Sequence, residues 1–337
     1  MKVFVTGAPG YLGAWIVREL LAAGHTVRVL VRRTSKLGNL EGLTYERADG
    51  DVLDPPSLGQ AIGGCEAVVH SAGVAQLDPK DVRHLYAVNV DGVDNVLGAA
   101  LAAGVRRAVL TSSTAALGGS LVPRIADETT PSNAPELGLD YFHSKLRGEQ
   151  VALGYGAKGL EVVVARPGYV LGPGDIYGSS AFIIRALARR RLPIYVDGLP
   201  SFCDVRDVAR GHVAALERGG PGEVYHLAGH NLRVRDLVER TAALAGVSPP
   251  REVPYQLAYA VAAAADVVAR ISGRRLDLSR NLLRASRLCT HVSSAKASRE
   301  LGYSIRPFDV MIADTLKDFL GRGLLPGATP ELRRLKS

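Results

Sequence analysis

An α/β fold built on a doubly wound parallel sheet is what this sequence predicts, on three observations. Apolar runs of strand length alternate with amphipathic stretches of helical period through the first two-thirds of the chain, the pattern of parallel strands joined by crossover helices. The first of these runs breaks on glycines that open a helix. The polar clusters then fall after the carboxyl ends of strands, where open α/β sheets keep their ligands. With 337 residues, 47% of them hydrophobic, the chain can bury a large core, so one big body or two interlocked domains are expected.

The opening strand is Val3-Phe4-Val5. After it, Thr6-Gly7-Ala8-Pro9-Gly10-Tyr11-Leu12-Gly13 turns into a helix whose Leu12, Trp15, Ile16 and Leu20 share one face and which stops at Gly24. A second strand from Thr26 to Val31 completes a strand, helix, strand unit of about 30 residues. Next come a strand around 43–48, a short helix from Pro56, the strand 67–70 and a long helix over about 81–103 that ends at Gly104. The strand 108–110 runs into Thr111-Ser112-Ser113, a helix extends from Tyr141 to about Gly154, and a strand covers 162–165. Beyond about Gly172 the pattern loosens into Pro/Gly-rich loops, a short strand Tyr225-His226-Leu227 and a helix over 235–245. This predicts a division into 1–172 and 173–330, the second part a smaller α/β lobe interlocked with the first. No internal repeat or low-complexity linker separates them.

The glycine turn reads as a cradle for a dinucleotide pyrophosphate. Gly7 takes the tight turn, Gly10 lets the backbone approach phosphate, and Gly13 lets the helix lie close on the strand. Free N–H groups and the positive dipole end of the helix then face the anion. A glycine triplet in a chain with 37 glycines means little by itself; its place between a strand and a helix gives it weight.

Composition excludes several classes. Cys65, Cys203 and Cys289 are far apart, with no CxxC or His-rich surroundings, so neither a disulfide framework nor a metal site is expected. The net charge of +8 comes from dispersed basic residues, and the clusters Arg189-Arg190-Arg191 and Arg274-Arg275 lack interleaved aromatics, which argues against nucleic acid. Residues 253–271 are almost uncharged but Ala-rich. A packed helix, or else one lying on a membrane surface, is expected there rather than a transmembrane span. Residues 1–6 already read as a core strand, so no signal peptide is expected, and a reducing cytoplasm fits best.

Tyr141 and Lys145 lie four apart on one helix, hence on one face. A phenol with a reference pKa near 10 exchanges protons readily at neutral pH only beside a positive charge, which a lysine one turn along can supply. Ser113, at the carboxyl end of a core strand, could donate to a substrate oxygen as negative charge develops there.

These blocks together resemble the extended short-chain dehydrogenase/reductases, also called the NAD-dependent epimerase/dehydratase family. The resemblance spans roughly 1–320 and rests on TGAPGYLG at 6–13, DGDVLD at 49–54, HSAG at 70–73, NVDGVDNVL at 89–97, TSSTAALG at 111–118, YFHSK at 141–145, ARPGYVLGPGD at 165–175 and SFCDVRDVA at 201–209. Within the family the chain is similar to the dihydroflavonol reductase-like and hopanoid-associated sugar epimerase-like branch. The resemblance implies a Rossmann domain and a Ser-Tyr-Lys site: Tyr141 as catalytic acid/base, Lys145 lowering its pKa and holding the nicotinamide ribose, and Ser113 polarising the carbonyl. It further implies that Thr6, Gly7, Gly10, Tyr11, Leu12 and Gly13 form the pyrophosphate loop, that Asp51 and Val52 meet the adenine, and that His70, Ser71, Ala72 and Gly73 line the cofactor channel. Asn89 would support the long helix near the proton path, and Pro167 and Gly168 would contact the carboxamide. No metal is implied. Dimerisation through helices 81–103 and 140–155 is.

The second strand ends in Arg32-Arg33-Thr34-Ser35-Lys36, with no acid until Glu41. An acid there would hold a free ribose 2′-hydroxyl, whereas cations and hydroxyls suit a 2′-phosphate, so NADP is expected ahead of NAD; the alternative is an arginine that only stacks on adenine. Many sugar-nucleotide epimerases of the family resemble R-Y-F-N-V-Y-G-P after this last core strand. The position of their asparagine is Tyr169 here, which suggests an apolar or aromatic carbonyl substrate, with Phe182, Tyr195 and Phe202 nearby in the second lobe. The expected activity is NADPH-dependent reduction of a ketone or aldehyde, or the reverse alcohol oxidation. The alternatives are an epimerase or dehydratase that regenerates a bound cofactor, and a redox-sensing or scaffolding protein without catalysis.

Overall fold

Side chains that alternate along each central strand feed two cores, one on either side of a sheet. In the computed structural model, which describes residues 1–178, 180–272, 280–325 and 329–335, Val3 and Val5 of β1 (Lys2–Thr6) point into one core and Phe4 into the other. Five further strands of this sheet are β2 (Thr26–Val31), β3 (Glu46–Asp49), β4 (Ala67–His70), β5 (Arg107–Thr111) and β6 (Glu161–Pro167). Its near-continuous apolar strands, such as Ala67-Val68-Val69, are buried because helices cover both faces. Helix α1 (Tyr11–Ala22) lies on one face, and α2 (Pro55–Ile62) on the other.

The long helix expected at 81–103 is present with an interruption. It runs as α3 (Val82–Tyr86), a π-helical turn over Ala87–Asp91 and α4 (Gly92–Ala102), before Gly104 ends it at φ +75°. Asp81 caps its start by accepting from the N–H groups of Arg83 and His84. Helix α5 (Asp140–Gly154) packs beside it.

The strands run β10-β6-β5-β4-β1-β2-β3 across the sheet, all parallel, where β10 is Val224–Leu227. That short strand reads from the sequence as part of the second lobe; it instead pairs with β6 and closes the edge of the main sheet. Between them the chain lays down β7 (Tyr169–Leu171), α6 (Phe182–Ala188), β8 (Ile194–Tyr195), β9 (Ser201–Asp204) and α7 (Val205–Arg218). Helix α7 returns to pack on α1. After β10 come β11 (His230–Asn231), α8 (Val234–Ala245), β12 (Arg251–Glu252), α9 (Tyr255–Ser272), α10 (Arg280–Ser286), α11 (Ala295–Leu301), α12 (Phe308–Gly321) and α13 (Pro330–Arg334). Strands β11, β9 and β7 form a small sheet, and α6, α8, α12 and α13 enclose a core around Ile312, Leu316 and Phe319.

Two hydrogen bonds stitch the start of the chain to the turn after β7. Tyr11 donates to the Gly172 carbonyl at 2.8 Å and Trp15 Nε1 to the Pro173 carbonyl at 2.8 Å. In α9, Ala258 and Ala262 are buried against Leu283 of α10, and Tyr255 stacks on Tyr259, while Leu257 and Val261 are exposed. Among the described residues no helix is long and apolar enough to cross a membrane. The Arg274-Arg275 pair lies outside the described residues.

Candidate active site

The glycine loop is held by backbone contacts that tolerate no side chain. Gly7 sits at φ +70°, and a Cβ on it would lie 2.5 Å from the backbone of Ser71 and Ala72. Gly10 donates to the Gly7 carbonyl at 2.9 Å, and a Cβ on Gly13 would collide with that same carbonyl. Thr6 ties the loop to the end of β4: its hydroxyl is hydrogen-bonded to His70 Nδ1 at 2.8 Å and accepts from the Ala72 N–H at 3.2 Å. Residues 70–73 therefore back directly onto the loop. Burial brings the His70 imidazole down to about 3, so it is neutral.

Past the end of β2, Arg32, Arg33 and Lys36 are exposed. The Ser35 hydroxyl accepts from the Arg32 N–H at 3.1 Å, and Lys36 Nζ lies 5.7 Å from the centre of the Tyr177 ring. Asp51 accepts from the Leu53 N–H, while Val52 is buried beside Gly92 and accepts from Asn95 at its carbonyl. Leu12 is half-buried against the core.

Of the three polar side chains expected to act together, Ser113 and Tyr141 are in hydrogen-bond contact, and Lys145 reaches the end of β5. Ser113, extended at φ −164°, follows β5 and caps the short turn after it, its hydroxyl accepting from the Ala115 N–H at 3.1 Å. Burial raises the Tyr141 phenol, and a hydrogen bond with the Ser113 side chain opposes that rise. Lys145 Nζ donates to the Thr111 carbonyl at 3.2 Å, and a Cβ on Gly73 would lie 3.2 Å from the same nitrogen. Burial lowers the Lys145 ammonium to about 8, with the Glu149 carboxylate holding it up. A cavity of about 10 Å³, roughly one water in size, lies between Ala72, Asn89, Thr111 and Lys145.

Asn89 sits in the π-helical turn and fastens two segments at once. Its amide accepts from the Val74 N–H at 2.8 Å, donates to the Val74 carbonyl at 3.0 Å, and donates to Ser144 Oγ at 3.0 Å; Ser144 in turn donates to the Tyr141 carbonyl at 2.9 Å. Gly148 lets α5 approach this turn, since a Cβ there would meet the Asn89 carbonyl. Pro167 ends β6, and Gly168 passes so close to the Ser201 carbonyl that a side chain would not fit.

The aromatic residues of the second lobe divide. Tyr169 is half-exposed, its hydroxyl donating to the Ser180 carbonyl at 3.0 Å and its ring edge-on to Phe202 at 5.8 Å. Phe182 is exposed. Phe202 is instead a core residue packed on Phe308 of α12, and Tyr195 donates to Glu252, its partner across the β8–β12 pair. Sequence reasoning passed over Ser112, Glu149 and Arg166, which form a buried cluster behind Lys145; Glu149, one turn past Lys145 on the same helix, was the available signal.

A sequence profile described as the NAD dependent epimerase/dehydratase family matches residues 3–228. A Synechocystis sp. protein provisionally named dihydroflavonol 4-reductase is 34% identical over 95% of each chain. The 4-hydroxy-2-methyl-3-oxo-4-farnesyl-3,4-dihydroquinoline-1-oxide ketoreductase of Stigmatella aurantiaca is 31% identical over 97% of this chain and 99% of its own. Among solved structures, gox2253 superposes with a TM-score of 0.86 at 36% identity, covering 96% of this chain and 99% of that one.

Proposed function

The chain belongs to the NAD dependent epimerase/dehydratase family, and so is an NAD(P)-dependent oxidoreductase acting on CH–OH and C=O groups; from that premise we propose that it reduces an apolar or aromatic ketone or aldehyde with NADPH. The observations that support the reading are that Tyr141 meets Ser113 and Lys145 reaches the Thr111 carbonyl, both at the carboxyl end of β5, next to a loop whose Gly7 and Gly13 have no room for a Cβ.

That loop fits a dinucleotide, because Gly7 and Gly13 let the turn and the helix after it pack closely on the strand ends, with the helix N-terminus and its free N–H groups beside Gly10 facing where a pyrophosphate would lie. Gly7, Gly10 and Gly13 would hold the pyrophosphate, Asp51 and Val52 the adenine, residues 70–73 the channel, Lys145 the nicotinamide ribose, and Pro167 with Gly168 the carboxamide. Arg32, Arg33 and Lys36 would meet a 2′-phosphate; the support is that Arg32 and Arg33 make no ion pair among the described residues, leaving their charge available. NADPH, when bound, supplies the hydride.

The protein's part is proton handling and placement. Ser113 donates to the carbonyl oxygen, Tyr141 gives that oxygen its proton, and the Lys145 ammonium stabilises the phenolate left behind. Asn89 keeps α5 in register with the segment after Gly73 and so fixes where the phenol points. Tyr169 and the exposed Phe182 supply an apolar wall for the substrate, in keeping with the farnesylated quinoline named for the Stigmatella ketoreductase.

Mixing the protein with NADPH and a panel of carbonyl compounds tests the reading: stoichiometric loss of NADPH absorbance is expected. A second reading, an epimerase or dehydratase that regenerates bound cofactor, uses the same Ser-Tyr-Lys group, which therefore does not separate the two. Product formation with no net cofactor consumption would select it. The protein is further proposed to act in the cytoplasm as a homodimer paired through helices 81–103 and 140–155, with the exposed Leu257 and Val261 of α9 as the place for any peripheral membrane contact.

A further inference from the structure

One buried carboxylate has no part in the chemistry just described. Glu149 lies one helical turn past Lys145 and is 2% exposed, a depth at which a carboxylate persists only where donors replace its lost water. Arg166 Nε donates to its Oε1 at 2.9 Å and Arg166 Nη2 to its Oε2 at 2.6 Å, while Ser112 Oγ donates to Oε1. The donors come from separate places in the chain. Ser112 immediately precedes Ser113, and Arg166 immediately precedes Pro167-Gly168. One carboxylate therefore joins the helix carrying Tyr141 and Lys145, the strand end carrying Ser113, and the strand end proposed to meet the carboxamide.

We propose that Glu149, clamped between Arg166 and Ser112, is a positioning residue that keeps the Lys145 side chain charged and seated one turn from Tyr141. The inference rests on the reading of Tyr141 and Lys145 given above. The surroundings of Lys145 leave this task to Glu149. From β4 it faces His70, and through Thr111 it communicates with His212 of α7, whose Nε2 is hydrogen-bonded to Thr111 Oγ1 at 2.9 Å. Both imidazoles are neutral, at about 3 and about 4, and neither supplies a negative charge. Tyr141, on the same helix, is a protonated phenol. Arg166 is engaged by Glu149, and His226, next to Arg166, is neutral at about 4. Glu149 is the one group that acts to hold the ammonium protonated against burial among the described residues.

The test follows Lys145 itself, with neither substrate nor cofactor present. Protein carrying lysine labelled with carbon-13 at Cε is titrated by NMR, and the Lys145 resonance is assigned by its absence from Lys145→Met. In the wild type the midpoint is expected near 8; in Glu149→Gln it should fall by about one unit. Because Glu149→Gln leaves Arg166 buried without its partner, Glu149→Met/Arg166→Met is titrated alongside it, an apolar pair of similar volume that conserves the fold. A midpoint lowered in Glu149→Met/Arg166→Met as well as in Glu149→Gln supports the inference; a fall confined to Glu149→Gln, which the unpaired Arg166 cation would cause by itself, or no fall in either, overturns it. Tyr141→Phe, assayed separately, keeps the two readings apart: an unmoved lysine midpoint with an inactive Tyr141→Phe sinks this inference alone, and an active Tyr141→Phe sinks the reading of the site beneath it.

Discussion

Lys145 Nζ donates to the carbonyl of Thr111 at 3.2 Å, so the ammonium on helix α5 is anchored to the strand end from which Ser113 projects. Thr111 is fixed in its turn. Its Oγ1 donates to His212 Nε2 at 2.9 Å, and His212 Nδ1–H donates to the Val208 carbonyl at 2.8 Å, which sets the neutral tautomer. A chain of hydrogen bonds thus runs from α7 through β5 to α5, and the phenol one turn before Lys145 inherits its position.

Tyr141→Phe removes the proton that this arrangement is proposed to deliver and leaves the packing of the ring on Phe142 (6.2 Å between centroids) largely as it is. Turnover should fall by orders of magnitude, about 10²-fold or more. Titration of nicotinamide fluorescence should meanwhile give a dissociation constant for NADPH close to that of the wild type. Near-normal turnover would remove Tyr141 from the chemistry.

Arg32→Ala tests the cofactor reading. Arg32 is exposed at the end of β2, so its loss should leave the melting temperature within a few degrees, as surface substitutions do. The Michaelis constant for NADPH should rise about tenfold or more, in line with one lost charge-assisted contact, and that for NADH should barely change. Equal rises for both cofactors would assign the arginine to adenine stacking.

The succession of strands and helices and the glycine turn were legible in the sequence because each is written in local period and composition: Val3-Phe4-Val5 breaking at Gly7 allows few readings. What escaped was set by tertiary partners. Tyr225-His226-Leu227 reads as a strand, but nothing local says that its neighbour is β6 rather than the small sheet. The π-helical turn at Asn89 lies against Gly148 of another helix, whose missing side chain leaves room for the Asn89 carbonyl. Glu149 and Arg166 are 17 residues apart on different elements, and a pair of that kind has no signature along the chain. Phe202 has the composition of a pocket wall and the environment of a core residue, a difference made by Phe308 over a hundred residues later.

Stability should decline steeply in weak acid. His70, His212 and His226 are buried and lowered to about 3, about 4 and about 4 from an ordinary 6.5. Between those values and 6.5 the unfolded chain binds protons that the folded chain does not, so unfolding gains on folding as pH falls through that window and the effect is absent above about pH 7. Three such groups give a slope of up to about 4 kcal/mol per pH unit. The urea midpoint should drop sharply from pH 6 to pH 4.5, and His212→Gln should make that drop shallower. A midpoint independent of pH over this range would show that these imidazoles charge without unfolding the chain.

Gly7 and Gly24 offer a way to separate two costs that usually arrive together. Both have positive φ, +70° and +81°, a region where any L side chain costs about 1–2 kcal/mol. Gly24 ends α1 in open space, with nothing within 4 Å of the point a Cβ would occupy, whereas at Gly7 that carbon would lie 2.5 Å from the backbone of Ser71 and Ala72. Gly24→Ala should therefore lose about 1–2 kcal/mol of stability and bind NADPH as the wild type does. Gly7→Ala must in addition push the loop away from 71–72, and since that loop is the proposed pyrophosphate cradle, NADPH affinity should fall about tenfold or more. Urea denaturation measures the first effect and NADPH fluorescence titration the second. Equal affinities in the two variants would mean that the loop yields without displacing the N–H groups, and the cradle would have to be sought elsewhere along the strand ends.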